Sequence, residues 1–141
     1  METISNNVRT ARVLNALAGG YTDAFGTILD RSGFGTIRLV VLFGAISATP
    51  IIRVRMLEGN AADMSDATLV GSSVTIEDGS ADNKVVILEQ LRPAKRYVRL
   101  HIQEVSGTAA IDGAIAELGG ARSVATSDDA SVLTRSIQLG A

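Results

Sequence analysis

Ile51-Ile52-Arg53-Val54-Arg55-Met56-Leu57 alternates apolar and basic residues with a period of two. Successive side chains of a β-strand point to opposite faces. Ile52, Val54 and Met56 therefore lie on one side, and Arg53 and Arg55 on the other. The stretch predicts a half-buried strand. Ser47 to Pro50 reads as the turn before it, and the loop after it carries Asn60, Asp63, Ser65 and Asp66.

The same grammar extends in both directions. Arg96 to Val105 sends Val98, Leu100 and Ile102 to one face and Tyr97, Arg99, His101 and Gln103 to the other. Thr36 to Ile46 is apolar on both faces apart from Arg38, which predicts a central strand covered on both sides. Lys84 to Leu91 is rich in β-branched residues and is stopped by Arg92-Pro93, since proline has no donor for a ladder. Ala109 to Leu118 reads as a strand with Ile111 and Ile115 on one face, closed by Gly119-Gly120. Val8 to Ala18 fits a helical face through Val13, Leu14 and Leu17 as well as a strand, and is read as a strand. Phe25 to Asp30 is a short strand, and Thr68 to Glu77 a bent one with Gly71 at a bulge.

Short strands with turn signals every 8–12 residues or so predict an all-β chain: a single β-sandwich or jelly-roll-like barrel. The expected body is residues 8–122. Residues 1–7 form an N-terminal tail and 123–141 an extended C-terminal arm.

Composition agrees. A chain of 141 residues, 46% hydrophobic and 20% charged, suits one domain with one core. With 4% aromatics and no Trp, that core is aliphatic. The absence of cysteine excludes disulfides, thiolate metal sites and thiol catalysis. A net charge of -2 gives no global attraction to nucleic acid or to an acidic membrane. The longest apolar run, Ile37 to Ile46, is far short of the roughly 20 residues of a spanning helix. Arg9 to Gly19 imitates a signal peptide, but Asn15 interrupts its apolar stretch, and none is expected.

Site chemistry finds little support. The single histidine, His101, sits on the polar side of its strand, flanked by Arg99 and Gln103, which make no catalytic set; it reads as a surface residue. Glu77 to Asn83 has a calcium-loop flavour, but Gly79 comes too early and no terminal glutamate follows. The chain is therefore expected not to be an enzyme and to hold no cofactor or metal. The basic residues are more informative. Arg53, Arg55, Arg92, Lys95, Arg96 and Arg99, with Tyr97, form a candidate docking patch for acidic loops, because arginine pairs bidentately with carboxylates. Internal pairing with Glu58, Glu89 or Glu104 is the competing reading. Leu133, Ile137 and Leu139 are candidate anchors on the C-terminal arm.

Several stretches recur in a familiar order: Val13-Leu14-Asn15-Ala16, Leu29-Asp30-Arg31-Ser32-Gly33-Phe34, Phe43-Gly44-Ala45-Ile46, Leu69-Val70-Gly71, Asn83-Lys84-Val85-Val86, Arg92-Pro93-Ala94-Lys95-Arg96-Tyr97-Val98-Arg99 and Gly119-Gly120-Ala121-Arg122. In that order they resemble a family of small virion structural proteins of tailed phages and prophages, encoded near the major capsid gene. Family members often carry a proline after the Gly-Ala-Arg segment, where this chain has Ser123-Val124-Ala125. The resemblance implies a decoration or cement protein on the outer surface of the phage head, assembled in the host cytoplasm. Its implied partners are the major capsid protein and further copies of itself, as a trimer, with neither nucleic acid nor membrane. A head fibre, tail or connector subunit is the alternative within virions. A carbohydrate-binding sandwich is the alternative outside them, disfavoured because only Tyr21 and Tyr97 join three Phe as stacking surfaces.

Overall fold

Ten strands account for the body of the computed structural model, which describes residues 7–92, 94–120, 129–134 and 136. They are β1 (Arg9–Leu14), β2 (Asp23–Phe25), β3 (Leu29–Asp30), β4 (Thr36–Ile46), β5 (Ile51–Gly59), β6 (Thr68–Leu69), β7 (Val74–Ile76), β8 (Val85–Leu91), β9 (Tyr97–Ser106) and β10 (Ala109–Gly119). One sheet runs β1-β10-β4-β8. The other runs β2-β9-β5-β6, with β3 also on β9 and β7 also on β5. Counting β2 with β3 and β6 with β7 as interrupted strands gives two four-stranded antiparallel sheets. Strands consecutive in the chain then fall in alternate sheets, except that β6/β7 follows β5 in the same sheet, which is the connectivity of a jelly roll.

The predicted alternation sets the core. Ile37, Leu39 and Val41 of β4 face Ile52 and Val54 of β5 and Val98, Leu100 and Ile102 of β9, and all are fully buried. Each such side chain contributes about 1.5–3 kcal/mol by leaving water. Gly71, at a φ of +61°, falls in the break between β6 and β7, where the sequence placed a bend.

Three expectations are corrected. Ile111 and Ile115 do not share a face. The register of β10 against β4 shifts around Gly113, whose φ of +155° suits glycine, and the extra residue reverses the inward parity. Ile111 is buried, whereas Ile115 lies half-buried on the outer side. The outer side of β4 is only partly covered: Val40 is half-buried and Leu42 is 41% exposed. Finally, Phe25 to Asp30 is not one strand, because Gly26 to Ile28 separate β2 from β3.

Beyond β10, residues 129–131 return to β1. Arg9 Nη2 lies 3.2 Å from Asp129 Oδ2, and the amide of Arg12 donates to Ser131 Oγ at 2.8 Å. Leu133 is 99% exposed. Ile137 and Leu139 lie outside the described residues.

Candidate partner-binding face

The outer side of the β2-β9-β5 sheet gathers the basic residues into one surface. Antiparallel register sets Arg53 opposite Gln103, Arg55 opposite His101 and Leu57 opposite Arg99. Phe25 of β2 lies opposite His101 from the other flank. Arg53 and Arg55 on β5 and Arg99 on β9, which the sequence shows only as separate groups, are therefore neighbours on one plane.

None of these three arginines meets a carboxylate among the described residues. The Arg53 side chain makes no hydrogen bond or ion pair among the described residues. Arg55 Nη2 donates to the neutral Gln103 Oε1 at 2.7 Å, while its Nε is buried without a partner. Arg99 Nε donates to the Gly26 carbonyl at 2.8 Å, and its guanidinium lies over Phe25, 4.8 Å from the ring centroid. The acids weighed as internal partners are used elsewhere or stay apart. Glu104 accepts the Gly20 and Ala109 amides, and among the described residues neither Glu58 nor Glu89 forms a salt bridge. The face thus holds two anchored guanidinium groups, Arg55 and Arg99, and an exposed one, Arg53, none paired with a carboxylate among the described residues.

The other basic candidates divide. Arg96 forms a two-pronged pair with Asp30, at 3.1 and 2.9 Å, and stacks on Tyr97 at 5.3 Å. The Arg96 hydrogen bond is the main reason the Asp30 carboxyl is lowered to about 2. Lys95 Nζ donates to Thr68 Oγ1 at 3.0 Å. Arg92 sits in a left-handed turn, at a φ of +53°, with its side chain exposed. Lys95 and Arg96 lie just before β9, at the end of this sheet, whereas Arg92 follows β8 of the other sheet.

His101 departs most from its sequence reading. It does lie on the outer side of β9, yet it is only 7% exposed. Phe25 stacks on it with ring centroids 4.5 Å apart, and its Nε2 lies 2.7 Å from Asp23 Oδ1. The pair ties the three-residue β2 to β9. The hydrogen-bonded carboxylate and the stacked ring together make a clamp between β2 and β9. Next to it, Arg12, Leu14, Leu17, Phe25 and Arg99 line a cleft of about 510 Å³. In the Glu77–Asn83 loop, Asp78 accepts the Ser80 amide and Asp82 the Ile46 amide. Among the described residues, no helix is long and apolar enough to cross a membrane.

No protein-family model matches the chain, and no curated protein matches it. Among solved structures, it is similar to the enzymatically active domain of tailspike protein 4 of bacteriophage CBA120. That match has 16% identity and a TM-score of 0.40, covering 83% of this chain and 20% of that one. The chain spans about a fifth of that chain's length.

Proposed function

We propose that this chain is a phage virion subunit of the decoration or cement type, binding the outer head surface and bridging major capsid subunits. The observation that carries the reading is the set of three arginines, Arg53, Arg55 and Arg99, aligned on one sheet face, none of them paired with a carboxylate among the described residues. An acidic protein surface is the complementary partner, since guanidinium groups on a rigid sheet are already oriented for carboxylates. The order of sequence motifs supplies the choice of a phage head. A jelly roll suits the role, because its two packed sheets hold a fixed surface that can meet symmetry-related neighbours identically. A trimer would place three such faces around one local axis.

The test is to add purified protein to expanded heads that lack it and to image them. Regular density over the shell is expected. Density confined to the tail would move the protein to a tail or connector role, and absence of binding would remove it from the mature particle's exterior.

A further inference from the structure

The β1-β10-β4-β8 sheet treats its two edges differently. The β1 edge is bulged between Arg12 and Leu14, carries two arginines and is met by residues 129–131. The β8 edge is bare: no described strand pairs with it beyond β4. It is also apolar on its outer side, with Val85, Ile87 and Leu91 at 50%, 54% and 70% exposure. A long, exposed apolar edge is a template for an added strand. Beside it, Met56, Val70 and Gln90 help line a cleft of about 530 Å³, and Gln90 Oε1 is buried without a partner.

We propose that the C-terminal segment Leu133–Leu139 of one copy adds as an antiparallel strand to β8 of a second copy. Its sequence, Leu-Thr-Arg-Ser-Ile-Gln-Leu, alternates with period two and has seven residues, as β8 has. Setting Leu133 opposite Leu91 brings Arg135 opposite Glu89, Ile137 opposite Ile87 and Leu139 opposite Val85. Every pair on that face is apolar with apolar or basic with acidic, the pairings that stabilise a ladder. The same register places Thr134 opposite Gln90, giving the orphaned Oε1 a hydroxyl donor.

The strand comes from a second copy because its own chain cannot reach. Ser131 is held at the β1 edge, and β8 lies three strand spacings away, about 14 Å. The two residues from Ser131 to Leu133 span at most about 7 Å. Donation between copies can be reciprocal, giving a dimer, or head-to-tail, closing a ring such as a trimer. This inference does not depend on the phage-head reading, and its test uses the isolated protein, so either can fail without the other.

The chain has no cysteine, so introduced ones report cleanly. Ile87→Cys and Ile137→Cys proteins, mixed and oxidised, are expected to form a disulfide-linked dimer of two 14.7 kDa chains, because directly opposed residues lie within bonding range. Light scattering on the full chain is expected to show an oligomer. Glu89→Arg should weaken it about tenfold or more, and adding Arg135→Glu should restore it while far-ultraviolet circular dichroism stays unchanged. A monomeric full chain, an Ile87→Cys protein that links only to itself, a preference of Ile137→Cys for Leu88→Cys, or no rescue by the double reversal would overturn the proposal.

Discussion

The His101 ring nitrogen Nε2 sits 2.7 Å from Asp23 Oδ1, across strands 78 residues apart in the chain. With Phe25 stacked above it, the ring is part of how β2 is held. His101→Ala should therefore destabilise the protein by about 1–3 kcal/mol in urea unfolding, by leaving Asp23 unpaired and Phe25 unsupported. An ordinary exposed strand residue would cost within about 0.5 kcal/mol.

The reversal of parity in β10 depends on Gly113 and its φ of +155°. Gly113→Val is expected to cost about 1–3 kcal/mol, since side chains other than hydrogen avoid that region. Unchanged thermal unfolding would mean that the bulge is not required for Ile111 and Ala114 to be buried together.

Much of this architecture was legible in advance, for a physical reason. The alternation of Ile52, Val54 and Met56 with Arg53 and Arg55 reports burial directly, because one face of the strand must leave water. What was hidden is non-local. That Arg99 lies opposite Leu57, next to Arg55, depends on register between strands about 40 residues apart. The burial of His101 depends on Phe25, on a three-residue strand too short to show a period. Ile115 was misplaced because one glycine slips the pleat. Leu42 was read as covered because apolar character states what a side chain favours and not whether its own chain supplies the cover.

Acid should act on the Asp30–Arg96 pair in a defined window. The Asp30 carboxyl is lowered to about 2, chiefly by the Arg96 hydrogen bond, so its contribution is complete above the unfolded carboxyl range near 4 and is lost as pH falls toward 2. Asp30→Asn should flatten the fall of stability across that window. Both partners are well exposed, so the difference should be small and should shrink further in high salt. A wild type and variant with parallel acid unfolding curves would show that the pair adds nothing to stability.

Removing the returning segment tests its contacts with β1. A chain ending before Asp129 loses the Arg9 ion pair and the Ser131 acceptor at the Arg12 amide. Two largely exposed contacts contribute about 1 kcal/mol together. The sandwich should still fold, with a slightly lower urea midpoint. Loss of cooperative unfolding would make the segment part of the core.

Charge reversal on the arginine face separates docking from folding. Arg53→Glu and Arg99→Glu together should cost about 1–2 kcal/mol and leave the protein folded: neither side chain pairs with a carboxylate among the described residues, but Arg99 gives up its hydrogen bond to the Gly26 carbonyl and its place over Phe25. The most direct measurement is co-sedimentation of wild type and this double variant with expanded heads lacking the protein, over a range of salt. The predicted result is saturable wild-type binding that weakens with salt, and binding by the variant reduced tenfold or more. Equal binding of the two proteins at every salt concentration would contradict docking through Arg53, Arg55 and Arg99.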